Sequence, residues 1–416
     1  MRPLLLGVVA LCCSCSLWAQ QDYPYAVTRY PFMHLDKNQL TFPGAPDALE
    51  KLFAKFDKIL FSGTGQAHFL HIGGSHLQAD MWSDRMRQRL QHFFPGTEAT
   101  RGLIFPFVMA RTNNPYNYQT EYSGNWESCR NVQWNRTCDL GLTGVSVTTR
   151  DSLCRIKISF RGAGYPQYES NRVRVFHDMD SSSYDVRVTN AGVSSKVDAR
   201  PDLGYTQFGL GIFQTFVELE IRKTAPWQNH FTLFGISLES DDPGFVYHAM
   251  GVNGAATKSY LHCNLLEQHM RAIHPDIVIF SVGINDANTT DFDSHLFERN
   301  YDSLVARVNR AAPEAAILFT TNNDTYYQKK YPNKNAEKVR TSMLKLGKKH
   351  NAVVWDLFEV MGGLGSIKDW IEAGLANSDK IHLLKPGYEL VADLMFGALM
   401  QSYELHLRML YQANQK

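Results

Sequence analysis

Five residues in four separated segments carry groups suited to acyl transfer. The first segment, His71-Ile72-Gly73-Gly74-Ser75-His76, sets a serine behind two glycines. Small residues there let the backbone turn sharply, so that the hydroxyl is exposed and the serine amide can face a substrate oxygen. Gly251-Val252-Asn253-Gly254-Ala255 and Gly283-Ile284-Asn285-Asp286 offer a glycine amide and an asparagine side-chain amide. These are uncharged donors of the kind a tetrahedral oxyanion needs fixed in advance. In Asp379-Lys380-Ile381-His382 a carboxylate precedes an imidazole by three residues. In a tight turn that spacing brings the acid to one ring nitrogen and leaves the other to take a proton from serine. Taken singly, each segment has an ordinary explanation as a turn, a loop or a helix cap. Their combination, in this order at the ends of strands, carries the weight.

The elements that must position these residues follow from hydrophobic periodicity. Leu49, Leu52, Phe53, Phe56 and Leu60 recur at helical spacing, the run Phe69 to Ile72 reads as a strand, and Gln78 to Phe94 reads as a helix. From about Cys129 to Asp242 the period becomes two, as in Val145-Ser146-Val147, Arg155 to Phe160, Arg172 to Phe176, Tyr184 to Val188, Phe216 to Ile221 and Phe231 to Phe234. Alternating strands between Gly, Asn, Asp and Ser turns indicate an antiparallel β-sandwich. After Phe245 strand and helix alternate again: strands at Asp276 to Val282, Ala315 to Phe319 and Ala352 to Trp355 lie between helices near Lys258 to Ile273, Leu296 to Ala311 and Asn335 to His350. A last helix begins near Pro386. That alternation predicts an α/β fold, a three-layer α/β/α domain around a parallel sheet, interrupted by an all-β insertion. The expected boundaries are 1–20 for an export signal, 21–127 and 245–416 for the two parts of the α/β domain, and 128–244 for the insert. Working groups in open parallel sheets collect at the carboxyl ends of the strands, where the four segments fall.

Met1-Arg2-Pro3, the apolar Leu4 to Leu11, and small residues up to Ala19 read as a secretory signal, which places the protein in the periplasm or outside the cell. Neither Cys12 nor Cys15 follows a good lipoprotein box, so ordinary cleavage after Ala19 or Gln20 is favoured over lipidation. No later stretch is apolar enough for a transmembrane anchor. Lys+Arg 42 against Asp+Glu 41 gives no electrostatic reason to expect nucleic acid. Among Cys129, Cys138, Cys154 and Cys263 a disulfide within the first three is plausible in an oxidising compartment, with the pairing open. Past the signal no Cys-x-x-Cys or His-x-x-x-His pair occurs, so no metal and no cofactor is expected.

The four segments together resemble the SGNH/GDSL hydrolase superfamily, over about residues 64–104 and 245–412. The resemblance implies a flavodoxin-like domain with Ser75 as nucleophile, His382 as base and Asp379 as its acid. It implies an oxyanion hole of the Ser75 and Gly254 amides and the Asn285 side chain. One position departs: the first block of the family carries aspartate where Gly74 stands here. A β insertion after that block is similar to peptidoglycan and polysaccharide O-acetylesterases, whose inserted domain resembles a carbohydrate-binding module. An exported serine esterase acting on an acetylated glycan is the function so implied. The alternatives are a glycan-binding scaffold with a degenerate hydrolase domain and a general carboxylesterase or lipase. An α/β-hydrolase is disfavoured because its elbow wants glycine two residues after the serine, where Leu77 stands.

Other residues invite a role near the site. His71, inside the strand, reads as a core histidine, and His76 as a possible substrate contact. Asp324 ends a strand and rivals Asp379 as the acid. Tyr116, Tyr118, Tyr122, Trp126 and Trp134 are either a sugar-stacking platform or packing between the domains. Asn114 and Trp126 are carried as substrate contacts, while Arg101 and Asn113 lie in a connection that reaches the rim.

Overall fold

The strand that precedes Ser75 is the axis on which the α/β domain is built. The computed structural model describes residues 27–162, 167–190, 195–413 and 415, and the signal expected over 1–20 lies outside them. In chain order the domain contains β1 (Leu40–Thr41), α1 (Glu50–Ser62), β2 (Gln66–Gly73), α2 (Ser75–Gln78), α3 (Met81–His92) and, after the insert, β3 (Gly244–Gly251). Then follow α4 (Thr257–Leu261), α5 (Leu266–Ile273), β4 (Ile277–Ser281), α6 (Ile284–Ala287), α7 (Ser294–Ala311), β5 (Ala316–Thr320), α8 (Asn335–Lys349), β6 (Val353–Trp355) and α9 (Lys385–Ala413). The sheet order is β1-β6-β5-β4-β2-β3; every pairing is parallel except β1 with β6.

Both faces of this sheet are covered, which is why its strands are apolar throughout. Ala67 and Phe69 of β2 pack with Phe56 of α1, Met86 of α3 and Leu394 of α9. Leu70 and Ile72 face the other way, into a cluster with Met270 of α5, Val305 of α7 and Met343 of α8. Helix α1 shows how local sequence builds a layer: Leu52, Phe53, Phe56 and Ile59 fall on its buried stripe, and Gly63 ends it at φ 62°.

The insert forms two antiparallel sheets. The larger includes Val145–Thr149, Ser170–His177, Tyr205–Gln214 and Phe231–Glu239; the smaller holds Tyr118–Tyr122, Leu153–Phe160, Phe216–Arg222 and Asp185–Val188. Inward residues of both, such as Val175 and Leu233 from one and Ile158 and Leu219 from the other, share a core that runs on into the α5–α7–α8 side of the parallel sheet. Antiparallel pairing begins before residue 128: Gly102–Ile104 pairs with Phe231–Glu239, and Tyr118–Tyr122 with Leu153–Phe160. These early strands are short, so alternation alone does not reveal them. Cys129 and Cys138 are bridged, and Cys154 and Cys263 are buried thiols.

The helix expected from Gln78 to Phe94 is present as Met81–His92, its start delayed by a turn at Asp80. Asp80 adopts φ 58°, and its buried carboxylate accepts from Arg87, Arg101 and Asn117. Burial alone would raise the pKa of Asp80, but Arg101 and Arg87 hold it below the ordinary carboxylate value. Arg101 is thus an internal ion-pair partner rather than a rim residue. No helix among the described residues is long and apolar enough to cross a membrane.

Candidate active site

Strand register brings three of the four segments together. Gly73 at the end of β2 is paired on one side with Gly251 and on the other with Ser281. Ser75, Gly254 and Asn285 therefore leave the sheet from one row, each within a few residues of it. Close approach is built into that row. A Cβ on Gly251 would stand 2.5 Å from the Gly74 carbonyl oxygen and 2.8 Å from the Leu77 carbonyl carbon. Only glycine lets β3 pass so near the nucleophile turn.

Ser75 opens α2, and its Oγ lies 2.8 Å from Nε2 of His382. Nδ1 of His382 lies 2.7 Å from Oδ2 of Asp379, while Oδ1 of Asp379 accepts from the amides of Ile381 (2.9 Å) and His382 (3.0 Å). Burial would raise the Asp379 pKa, but the hydrogen bonds from His382 and from these amides hold the carboxyl below its ordinary value. A carboxylate so held keeps the proton of His382 on Nδ1 and leaves Nε2 to accept from serine. The turn itself is braced by β5-side residues: the Tyr326 amide donates to the Lys380 carbonyl (3.0 Å) and Asn323 Nδ2 to the Ile381 carbonyl (3.1 Å).

The oxyanion side is held as firmly. Ala255 N donates to Val252 O at 2.9 Å, closing a turn in which Gly254 has φ 84° and is exposed. Asn285 Nδ2 donates to the Ala255 carbonyl at 2.9 Å. The neighbouring Asp286 carboxylate takes both the amide (3.0 Å) and the hydroxyl (2.6 Å) of Thr257, locking the Gly254 turn to the Asn285 loop. Gln78 completes the brace, accepting from the Asn253 amide (2.7 Å) and donating to Thr112 Oγ1 (2.9 Å) and the Asn113 carbonyl (2.8 Å). Gly74, the departure from the family block, has φ −103°, and a Cβ there would sit 3.4 Å from Asn285 Nδ2. The turn therefore does not depend on aspartate at this position for its backbone shape.

The remaining candidates divide. His71 is a core histidine, between Tyr247 (2.8 Å) and Ser281 (2.5 Å), with burial pushing its pKa down to about 3. His76 is buried rather than presented to a ligand: it stacks on His382 and its Nδ1 meets the Tyr388 hydroxyl at 3.0 Å. Asp324 is engaged elsewhere, accepting from the amides of Gly365 (3.0 Å) and Ile367 (3.1 Å), while Nδ1 of His382 meets Asp379. Asn114 spends both ends of its amide on its own connection, accepting from Val108 N (2.9 Å) and donating to Thr120 Oγ1 (3.2 Å). Trp126 donates to the Ser123 carbonyl and lines a cleft of the insert with Met109, Arg111 and Arg150, apart from the triad. Sequence reasoning missed Gln78, Asn323 and Tyr388. No spacing singles out such bracing residues, because their partners come from distant segments.

The arrangement fits nucleophilic acyl transfer: a serine hydrogen-bonded to an oriented imidazole, beside a glycine turn and an asparagine amide. Residues 224–390 match the GDSL-like Lipase/Acylhydrolase family, a span that holds Gly254, Asn285, Asp379 and His382 but not Ser75, which the insert separates from them. The fold is similar to a solved structure described as a peptidoglycan O-acetylesterase in action, with TM-score 0.69 and 20% identity, covering 88% of this chain and 99% of that one. Lesser overlaps include an acetyl xylan esterase (TM-score 0.31, 22% identity, 37% of this chain and 81% of that one). An acetylxylan esterase from Geobacillus stearothermophilus overlaps similarly (TM-score 0.30, 19% identity, 38% and 73%). No curated protein matches the sequence. Residues 224–390 thus form a GDSL-like lipase/acylhydrolase domain, and that domain with the triad beside it makes the protein an ester-hydrolysing enzyme.

Proposed function

We propose that this enzyme is an exported serine O-acetylesterase that removes acetyl groups from a cell-envelope or extracellular glycan. His382 Nε2 takes the proton of Ser75 Oγ as the oxygen attacks the ester carbonyl. The amides of Ser75 and Gly254 and the second amide hydrogen of Asn285 receive the oxyanion. The imidazolium, its Nδ1–H still donated to Asp379, then protonates the leaving sugar oxygen from Nε2. Water, deprotonated by the same imidazole, releases acetate and restores the serine. No step calls on a metal or cofactor.

The single observation that carries this reading is the unbroken chain of hydrogen bonds from Ser75 through His382 to Asp379, set beside the Gly254 and Asn285 donors. Support for a glycan comes from the fold shared with a peptidoglycan O-acetylesterase structure over nearly the whole chain, insert included. Support for export comes from the leader-like residues 1–20 and the Cys129–Cys138 bridge, which suits an oxidising compartment. The test compares wild type with Ser75→Ala for acetate release from 4-nitrophenyl acetate and from O-acetylated peptidoglycan and xylan. Removing the nucleophile of such a unit costs on the order of a millionfold in rate, so release should vanish while the fold persists. Full activity in the variant refutes the assignment, and a preference for long acyl chains would make the enzyme a lipase.

A further inference from the structure

The exposed indole of Trp134 stands over α4, the helix that begins three residues after Gly254. Its ring stacks on His262, with centroids 5.1 Å apart and planes 21° from parallel, and Lys258 Nζ lies 4.9 Å from its centroid. Lys258 lies in α4 and His262 caps its C-terminus, so both contacts to the indole come from the same short element. Trp134 is nevertheless 52% exposed. An aromatic ring held by its neighbours with half of its surface still open is one on which a sugar ring can stack.

The loop that carries Trp134 is built to hold it there. The Cys129–Cys138 disulfide closes the loop, Gln133 N donates to Arg130 O at 2.9 Å, and Asn131 N donates to Gly144 O at 2.9 Å. Val132, two residues before the indole, lies against Gly254: a Cβ on that glycine would meet its Cγ1 at 4.0 Å. The loop thus links the oxyanion turn, at Val132, to the exposed indole two residues on. Lys258 is exposed and forms no salt bridge among the described residues, although the Asp286 carboxylate lies near enough to feel its charge, so its ammonium is open to a ligand beside the indole.

We propose that Trp134, with Lys258, forms a subsite for a sugar unit next to the acetylated one, and that it favours a glycan bearing carboxylates. The proposal rests on the glycan O-acetylesterase reading above. Stacking on the exposed indole binds the neighbouring sugar, and Lys258 attracts its acid group. The Trp134→Ala variant should lose about tenfold in kcat/KM on solubilised O-acetylated peptidoglycan relative to 4-nitrophenyl acetate, chiefly through KM. Trp134→Phe should recover most of that loss. Lys258→Met should lower activity on peptidoglycan more than on neutral acetylated xylan, and its defect should shrink as salt is added. An unchanged ratio of polymer to small-ester activity in Trp134→Ala overturns the subsite.

Failure of the parent reading shows differently, as wild-type protein that cleaves 4-nitrophenyl acetate but releases no acetate from any glycan. In that case calorimetric titration of de-O-acetylated peptidoglycan fragments into Ser75→Ala and Ser75→Ala/Trp134→Ala still decides the subsite. Binding about tenfold weaker in the double variant upholds it, and equal or absent binding in both overturns it.

Discussion

The imidazole of His76 lies stacked on that of His382, their centroids 5.2 Å apart and their planes 28° from parallel. On its other side Tyr388 meets Nδ1 of His76 and packs edge-on against the ring. Burial pushes the His76 pKa down to about 3, with the nearby His382 acting in the same direction, so this ring stays neutral when His382 gains a proton. A neutral stacked ring limits rotation of the base without competing for its charge. We expect His76→Ala to lower kcat by on the order of 10- to 100-fold with little change in KM, because a small misplacement of a reacting group is costly. His76→Phe keeps the stack and should recover most of that rate on 4-nitrophenyl acetate. Equal losses in the two variants would assign the effect to the Tyr388 hydrogen bond instead.

Gly251 tests the close approach of β3 to the nucleophile turn. A methyl group there meets the backbone of the nucleophile turn, at the Leu77–Gln78 peptide bond and at the Gly74 oxygen that Gln78 N donates to. Backbone cannot rotate away as a side chain can. Gly251→Ala should therefore displace α2, cost about 1–3 kcal/mol of stability from overpacking, and lower kcat as well. Denaturant unfolding and steady-state rates measure both effects. An active variant of wild-type stability would mean that the turn is freer than its packing indicates.

The two acids can be separated by their partners. Asp379 holds Nδ1 of His382, whereas Asp324 holds the amides before the helix Ile367–Glu372. Asp379→Asn should reduce kcat by roughly 10⁴-fold, since the amide stabilises the wrong imidazole tautomer. Asp324→Asn should leave the rate within a few-fold of wild type, as measured on the same small ester. The reverse order of damage would reassign the acid.

The parts of this molecule that were legible in its sequence are those governed by local pattern. Alternation in Arg172 to Phe176 and in Phe216 to Ile221 marks strands because one face of each is buried, and the observed strands Ser170–His177 and Phe216–Arg222 contain them. The buried strands Ile277–Ser281 and Ala316–Thr320 were visible as apolar runs between helical stripes. Asp379 and His382 lie in one short turn, so their meeting could be read from spacing, and the structure brings Ser75 to them. Non-local choices were not legible. The two-residue strand Leu40–Thr41 exists only because β6 offers an open edge. The turn at Asp80 places a carboxylate between Arg87 of the following helix and Arg101, a pairing that no local pattern announces. Pairing of Cys129 with Cys138 rather than Cys154 depends on which strand ends lie together. His76 follows the nucleophile directly, but nothing in its neighbours announces a ring stacked on His382, because that contact is made across the fold.

Asp324 makes a prediction about stability rather than rate. Burial pushes its carboxyl up to about 6 from an ordinary 3.8, with the amides of Ile367 and Gly365 pulling the other way. The folded protein thus holds this proton more tightly than the unfolded chain does. Between those two values stability falls as pH rises, and above the upper one the full cost of a buried carboxylate is present, at most about 3 kcal/mol. Asp324→Asn removes the titration. Its amide nitrogen would take the place of the buried Oδ1, which has no partner, and that penalty does not change with pH. The informative quantity is therefore the change with pH of the stability difference between variant and wild type, not its sign at one pH. Relative to wild type, the variant should be more stable at about pH 7 than at about pH 4.5, by roughly 1–3 kcal/mol in urea unfolding. A difference that stays constant over that range would show that Asp324 has the same proton affinity in the folded and unfolded chains.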